Sequence, residues 1–320
     1  MSTPSKNKLR IVFMGTPDFA VASLKSILEA GFEVVGVVTA PDRPAGRGRK
    51  VQPSAVKQFA QKHHIKVLQP TNLKDESFLD ELRGLHANLQ VVVAFRMLPK
   101  EVWQMPEHGT FNLHASLLPQ YRGAAPINWA IINGETETGV TTFFIDDKID
   151  TGSIILQKKE SILPEDNAGS LHDRLMELGA ELVVKTCNQI AAGTVDGLPQ
   201  KEINNLKPAH KIHKETCRVD WNAHLEDVHN LIRGLSPYPA AWTYLINHDK
   251  EEPIKVYGTR IETGEHNLKP GKLIVDKKSL KVAGKGGYLQ ILELQLPGKR
   301  RMKISEVLNG LNLDENAHLR

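Results

Sequence analysis

Short apolar runs alternate with segments of helical spacing over the first two thirds of the chain. Uninterrupted apolar runs are typical of buried parallel strands, and apolar residues three and four apart are typical of helices that cover a sheet. The pattern predicts strands at 9–14, 32–38, 67–68, 89–94, 139–145 and 153–156, a further strand that ends at Asn112, and helices at 18–30, 54–64, 75–83 and 167–192. Such strand, helix, strand units predict an α/β fold with a Rossmann-like, doubly wound and mostly parallel sheet.

The pattern changes after residue 210 to short alternating runs separated by Gly, Asn and charged residues. These runs predict about five strands, at 242–246, 254–257, 272–275, 280–283 and 288–294, and favour a small C-terminal β-barrel similar to the oligonucleotide-binding (OB) fold. Gly and Pro residues indicate a linker at about 195–210. We therefore expect one domain at 1–206 and a second domain at 207–320, as the length of 320 residues also suggests.

Composition narrows the class of protein. A chain with 40% apolar and 24% charged residues is ordinary for a globular protein, and it has no apolar signal region or spanning run, so we expect a cytoplasmic protein that does not bind membranes. Cys187 and Cys217 lie 30 residues apart, which favours neither a disulfide framework nor a zinc site, and we expect no metal.

Charge is divided unevenly along the chain. Residues 1–206 hold 22 Lys and Arg against 23 Asp and Glu, a net charge of −1, whereas residues 207–320 hold 19 against 14, a net charge of +5. The basic C-terminal part hints at a polyanionic partner such as RNA.

The candidate chemistry begins at Asn112. In a strand, residues two apart face the same side, so Asn112 and His114 are predicted to point together from the strand end, and Pro119 cannot continue a central strand. An amide that donates to a developing oxyanion, beside an imidazole that moves a proton, suits acyl transfer. An ordinary strand end with two satisfied polar groups fits the same pair.

Two other segments follow predicted strands at the carboxyl edge of the sheet, where open parallel sheets bind ligands. Gly15-Thr-Pro has a single glycine where the dinucleotide fingerprint needs three, so we reject NAD binding. Residues 40–50 combine two Pro, two Gly and four cations, Arg43, Arg47, Arg49 and Lys50, and are predicted to be a loop. Such a loop either only aids solubility or neutralises phosphates of a nucleic acid near the site.

The stretch from Asn112 to Gly123 resembles the N-x-H-x-S-L-L-P-x-x-(R/K)-G signature of the folate-dependent formyltransferases. Residues 13–20 resemble the F-x-G-T-P-x-F-A opening of the methionyl-tRNA formyltransferases within that family, and residues 41–48 resemble their P-D-R-x-x-G-R-G insertion. Further similar stretches at 207–212, 215–221 and 233–242 extend the resemblance over essentially the whole chain.

The resemblance implies transfer of a formyl group from 10-formyltetrahydrofolate, a co-substrate, to the amino group of methionyl-initiator tRNA, by a monomer. It implies three catalytic residues, Asn112, His114 and Asp150, the last of which precedes Thr-Gly as in the family's D-x-G motif. Asp146 and Asp147, in the same turn, are expected to be solvated. By similarity, Arg43 is the tRNA-contacting arginine.

The folate side of the site is also implied by resemblance. The loop after the 89–94 strand, Arg96, Met97 and Leu98, is expected to hold the pterin through main-chain atoms, although it departs from the family's A-Y-G-x-I-L-P pattern; an arginine that only packs over the sheet edge is the alternative. The resemblance also places four motif residues beside the folate, with a role that is chiefly structural: Ser116, Leu117, Leu118 and Pro119. A nucleophilic Ser116 lacks an obvious activating base.

Two roles for Asp150 and several rival functions remain open at this stage. The carboxylate either orients and charges His114 or holds a water that relays protons from the amine. The rivals are a formyltransferase for a sugar nucleotide or glycinamide ribonucleotide, a formyltetrahydrofolate hydrolase, and a non-catalytic RNA-binding protein. The last of these predicts the loss of catalytic residues that this chain retains.

Overall fold

The structure of the protein is a computed structural model that describes residues 8–45 and 50–320. The chain forms two compact units: the first comprises the residues up to 123, 138–160 and 172–208, and the second comprises 124–137, 161–171 and 209–320. The second unit thus takes two segments from the part of the chain that precedes residue 206. The division into functional domains at 206 stays a prediction.

Two series of elements build the units. Residues 8–192 form β1 (Arg10–Gly15), α1 (Asp18–Glu29), β2 (Glu33–Val38), β3 (Arg43–Ala45), β4 (Lys50–Gln52), α2 (Ala55–Lys62), β5 (Val67–Leu68), α3 (Glu76–Arg83), β6 (Leu89–Val93), α4 (Lys100–Trp103), β7 (Thr110–His114), α5 (Pro126–Ile132), β8 (Glu137–Phe144), β9 (Ile154–Ser161) and α6 (Ala168–Ala192). The rest forms α7 (Leu225–Leu235), β10 (Ala241–Asn247), β11 (Lys250–Thr263), β12 (Leu273–Val275), β13 (Leu280–Gly284), β14 (Gly287–Gln295), β15 (Met302–Lys303), α8 (Ile304–Leu308) and β16 (His318–Leu319).

A seven-stranded sheet in the order β5-β2-β1-β6-β7-β8-β9 forms the first unit. The five strands from β5 to β7 are parallel and β8 runs antiparallel to β7. The central strands β1 and β6 are buried along nearly their whole length, as continuous apolar runs in a parallel sheet should be. The predicted Rossmann-like fold is confirmed.

The register places three strand ends side by side. Gly15 of β1 pairs with Val93 of β6, and Val93 pairs with Leu113 of β7. Gly15 admits no side chain, because a Cβ there would lie 2.9 Å from the Val93 carbonyl oxygen and 2.6 Å from the Ala20 Cβ. The segments that follow β1, β6 and β7 therefore leave one edge of the sheet together, where parallel sheets bind ligands.

The segment predicted as a loop at 40–50 contains regular structure, which corrects that prediction. Strands β3 and β4 pair antiparallel, with Arg43 opposite Gln52 and Ala45 opposite Lys50. Three residues on each side are too few for an alternation of apolar and polar residues to show in the sequence.

A second sheet, in the order β12-β13-β14-β11-β10-β16, forms the core of the second unit, and β15 pairs with β14. It is antiparallel throughout these pairs, and a bridge between Lys272 and His318 joins its two ends into a nearly closed barrel. The predicted OB-like barrel is confirmed. The sequence reading missed α7, whose buried face, Leu225, Val228, Ile232 and Leu235, belongs to the barrel core.

In the part of the chain that the structure describes, no helix is both long and apolar enough to cross a lipid bilayer.

Candidate active site

Strand β7 determines the direction of the two polar side chains at the sheet edge. Leu113 is buried and packs so closely on α6 that a Cβ added at Gly179 would lie 2.7 Å from it. Because side chains alternate along a strand, Asn112 and His114 lie together on the opposite side of the sheet. This apolar face against α6 is the physical reason why the polar pair shares a direction.

The Asn112 side chain is half-buried between its strand neighbours Val92 of β6 and Phe143 of β8. None of the described residues forms a hydrogen bond with its amide. Both amide hydrogens are therefore available to a bound molecule.

The His114 ring is 7% exposed and is oriented by a single carbonyl group. Its Nε2 lies 2.8 Å from the Tyr121 carbonyl oxygen, and a carbonyl only accepts hydrogen bonds, so Nε2 carries the proton. In the neutral ring the other nitrogen, Nδ1, is then the proton acceptor. Tyr121 itself has a φ of +58°, in the left-handed region, near the end of the loop that follows β7 and runs to Gly123, the motif loop.

Asp150 faces this acceptor nitrogen. Its Oδ2 lies 3.7 Å from His114 Nδ1, longer than a hydrogen bond, and accepts a hydrogen bond of 2.9 Å from the Gly123 backbone N–H. Two residues near the end of the motif loop thus contact the pair, since the Tyr121 carbonyl accepts from the ring and the Gly123 N–H donates to the carboxylate. The structure brings together the three residues that the sequence predicts to be catalytic.

The backbone of the turn around Asp150 is constrained. Asp150 has a φ of +54°, a left-handed conformation that Asp tolerates better than most residues. At Gly152 a Cβ would lie 1.6 Å from the Phe144 carbonyl oxygen, so no other residue fits. Asp147 is exposed as expected, whereas Asp146 is half-buried and accepts hydrogen bonds from the Thr151 hydroxyl and the Lys148 N–H, so the expectation that Asp146 is solvated was wrong.

The segment Ser116–Pro119 is held by a buried threonine that the sequence reading did not single out. The Thr141 hydroxyl donates to the Ser116 carbonyl at 2.6 Å and accepts from the Leu118 N–H at 3.2 Å, and Gln157 Nε2 donates to the Leu118 carbonyl at 2.9 Å. The Ser116 hydroxyl donates to the Gln120 carbonyl at 2.7 Å. A carbonyl cannot accept the proton as a base would, which leaves Ser116 without activation as a nucleophile. No sequence signal distinguishes Thr141 from other strand threonines.

The segment after β6 contains the three residues that are predicted to hold the pterin, Arg96, Met97 and Leu98. The Arg96 guanidinium donates to the Pro70 and Thr71 carbonyls at 2.5 and 3.0 Å, so its side chain is bonded to the segment that precedes α3. Met97 is 67% exposed and Leu98 is buried. The predicted folate contacts of this loop stay a prediction.

Strand β3 begins with Arg43, the first of the four predicted tRNA contacts. Arg43 is exposed, and burial together with the positive charge of Arg43 lowers the pKa of Arg96. The preceding residue, Asp42, accepts hydrogen bonds from Lys57 at 2.6 Å and Gln69 at 2.8 Å, and these bonds hold its pKa below the usual value. Two other predicted tRNA contacts, Arg47 and Arg49, lie outside the described residues, and of Lys50 the structure describes only the backbone in β4.

Among the residues that the structure describes, no three His, Cys, Asp or Glu side chains are grouped so that they could hold a metal ion. Cys187 and Cys217 are both buried, and burial raises the pKa of the Cys187 thiol to about 12.

Comparison with known proteins assigns both parts of the chain. The model of the formyl transferase family matches residues 9–187, and the model of the formyl transferase C-terminal domain matches residues 211–312. A methionyl-tRNA formyltransferase of Flavobacterium johnsoniae is 58% identical over 310 residues, covering 97% of this chain and 98% of that protein. A methionyl-tRNA formyltransferase of Bacteroides fragilis is 54% identical over 315 residues, covering 97% of each.

Solved structures share the fold at lower identity. The sugar 3N-formyltransferase WlaRD, solved with dTDP and 5-N-formyl-THF, superposes with a TM-score of 0.65 at 24% identity, covering 92% of this chain and 99% of its own. HypX from Aquifex aeolicus, solved with tetrahydrofolic acid, gives a TM-score of 0.65 at 19% identity and covers 96% of this chain but only 49% of its own. The solved structures show a shared fold. The family is established by the two methionyl-tRNA formyltransferases, which are identical to this chain at more than half of the aligned residues. The chain belongs to the methionyl-tRNA formyltransferase family.

Proposed function

We propose that the protein transfers the formyl group of 10-formyltetrahydrofolate to the α-amino group of methionyl-initiator tRNA. The observation that carries this proposal is the grouping of the unpartnered Asn112 amide, His114 and Asp150 at one sheet edge. It occurs in a chain that matches methionyl-tRNA formyltransferases over 97% of its length. The formyltransferases of sugar nucleotides share only the fold with it.

In the reaction, the amine nitrogen forms a bond to the formyl carbon and the bond from that carbon to N10 of the folate breaks. The carbonyl oxygen carries negative charge in the tetrahedral intermediate between these events. The Asn112 amide, which has no partner among the described residues, supplies a donor for that oxygen. Because no internal hydrogen bond has to break first, the donor is available when the charge develops.

His114 and Asp150 handle the protons. The attacking amine loses one proton and N10 gains one, so no net proton is consumed. With Nε2–H fixed on the Tyr121 carbonyl, Nδ1 of His114 is the ring atom that accepts and returns a proton, and the Asp150 carboxylate balances the charge of the protonated ring. The gap of 3.7 Å between the two groups exceeds a hydrogen bond, so the carboxylate acts on the ring through its charge, and a substrate amine or a water that is bonded to both groups can relay a proton.

The acceptor is proposed to be RNA-borne on the basis of charge and similarity. Arg43, the arginine that the resemblance assigns to tRNA, is exposed, and the C-terminal residues 207–320 carry a net charge of +5. A sugar nucleotide or glycinamide ribonucleotide needs neither feature. We propose that the enzyme works as a monomer in the cytoplasm, where charged tRNA is found, and that the main chain of 96–98 and residues 116–119 contact the folate.

An acceptor panel tests the proposal. Formyl-labelled 10-formyltetrahydrofolate is incubated with charged initiator methionyl-tRNA, free methionine, an amino-sugar nucleotide or glycinamide ribonucleotide, and the label on each acceptor is measured beside free formate. Label is expected on methionyl-tRNA alone. Label on a small amine supports the sugar-nucleotide or ribonucleotide alternative, and release of formate at the same rate with and without an acceptor supports the hydrolase.

A further inference from the structure

Residues 198–207, which the sequence suggests to be a linker, are bonded to the catalytic elements of the first unit. Leu198 and Ile154 exchange both backbone hydrogen bonds at 2.8 Å, so the segment begins as a bridge to the first residue of β9. At the other end, the Lys207 carbonyl accepts from the Tyr121 N–H at 2.7 Å, and the Lys207 N–H donates to the Gln120 side chain at 2.7 Å. Tyr121 is the residue whose carbonyl orients His114. The segment thus contacts the elements of the site near both of its ends.

Between these two contacts, the side-chain amide of Gln200 forms hydrogen bonds with two separate segments of the site. Its Nε2 donates to the Asp150 and Gly152 carbonyls, each at 2.9 Å. Its Oε1 accepts from Arg122, at 2.6 Å from Nη2 and 3.2 Å from Nε. One side chain therefore joins the turn that carries Asp150 to the end of the motif loop.

The contacts of Gln200 bear on the distance between the Asp150 carboxylate and His114 Nδ1. The Asp150 carboxylate accepts from the Gly123 N–H, and Gly123 directly follows Arg122. Gln200 therefore binds the backbone of the Asp150 turn on one side of that hydrogen bond and the Arg122 guanidinium on the other. Asp150 also sits in a left-handed conformation, with φ of +54°, which neighbouring bonds must maintain. Without the link, the Gly123–Asp150 hydrogen bond has one support fewer, and the carboxylate is held less firmly near His114.

We propose that Gln200 is a positioning residue for formyl transfer, which sets the Asp150 carboxylate against His114 without touching the substrate. This inference rests on the proposed function for its catalytic readout. A displacement of about 1 Å at a reacting group is enough to cost roughly a hundredfold in rate.

Gln200→Glu is the sharpest perturbation. The variant keeps the shape and the acceptor for Arg122 but turns a carboxylate oxygen toward two carbonyl oxygens in place of the donating NH₂ group. Gln200→Met removes both sets of hydrogen bonds at similar volume. The matched control is Gln58→Glu, since Gln58 is exposed and donates to a single carbonyl, that of Pro53, at 3.1 Å.

Two measurements are made on each full-length variant. The first is kcat for formyl transfer together with KM for methionyl-tRNA and folate, and the second is hydrogen exchange of the Gly123 amide with the melting temperature. For both Gln200 variants we expect kcat to fall roughly 10- to 100-fold with both KM values unchanged, and Gly123 exchange to rise at least tenfold with little change in melting temperature. The control is expected to match the wild type in every measurement.

The outcomes are distinguishable. If both Gln200 variants keep the wild-type Gly123 exchange and the wild-type kcat, the inference is overturned. It is also overturned if the melting temperature falls and both KM values rise together, because that result indicates a merely structural role. If the wild-type protein transfers no formyl group to methionyl-tRNA, the proposed function fails, while the Gly123 exchange still decides whether Gln200 positions Asp150.

Discussion

Replacing Asn112 with alanine removes one donor from the site without disturbing the fold. The amide is half-buried and forms no hydrogen bond with any described residue, so the truncation leaves no buried group without its partner. The strand neighbours Val92 and Phe143 keep their backbone pairing. We expect the free energy of unfolding to change by no more than about 0.5 kcal/mol.

The full effect should therefore appear in the transition state. Loss of one oxyanion donor in a preorganised site costs about 2.7–4 kcal/mol, which corresponds to a decrease of roughly 10²- to 10³-fold in kcat. The ground-state substrates do not carry the negative charge, so KM for folate and for methionyl-tRNA should stay near the wild-type values.

The assay is single-turnover formyl transfer at saturating substrates, combined with a thermal melt. Asn188→Ala is the matched control, because Asn188 is an exposed asparagine of α6 and likewise has no hydrogen-bond partner among the described residues. A turnover for Asn112→Ala within twofold of the control would refute the oxyanion role. A large fall in melting temperature would refute the premise that the Asn112 amide does not contribute to the stability of the fold.

Three further perturbations have defined outcomes. Arg43→Ala should raise KM for tRNA several-fold without altering KM for folate. The control Arg83→Ala, which removes an exposed helix arginine, should change neither value. Equal changes in KM for tRNA in the two variants would exclude a special role for Arg43. Gly152→Ala should lower both the melting temperature and kcat, because its Cβ would lie 1.6 Å from a carbonyl oxygen of β8. We expect a destabilisation of about 1–3 kcal/mol or more. The control Gly310→Ala places its Cβ in open space and should be neutral. Cys187, with a thiol pKa raised to about 12, should not react with a disulfide reagent at pH 8 until the protein unfolds; rapid labelling of native protein would contradict its burial.

Strand and helix positions in the first unit follow from the sequence because each buried strand needs an unbroken apolar run. The runs at β1, β2 and β6 were all recognised for that reason, and the pairing of Asn112 with His114 follows from the two-residue period of a strand. Helix α7 shows why recognition fails elsewhere. Its apolar residues Leu225, Val228, Ile232 and Leu235 do have helical spacing, but the helix has only 11 residues and begins without a side-chain N-cap, so its local signal is weak and its packing on the barrel stabilises it.

The supports of the site were not predictable in the same way. Thr141 and Gln200 are single polar residues whose partners lie 25 and 50 residues away along the chain, and such pairings leave no local pattern. Asp150 was recognised only through its resemblance to a family motif. Its position near His114 depends on the left-handed turn and on Gly152, and backbone contacts of this kind are visible only in three dimensions.

Formyl transfer by the wild type and by Asp150→Asn, measured side by side under single-turnover conditions with charged initiator methionyl-tRNA, tests the central claim most directly. Asparagine keeps the size of the side chain, tolerates the left-handed backbone and retains an oxygen for the Gly123 N–H, but it lacks the charge that faces His114. We predict that the wild type forms N-formylmethionyl-tRNA and that the variant does so about a hundredfold more slowly, with unchanged affinity for tRNA. Equal rates for the two proteins, or no formyl transfer by the wild type, would contradict the account.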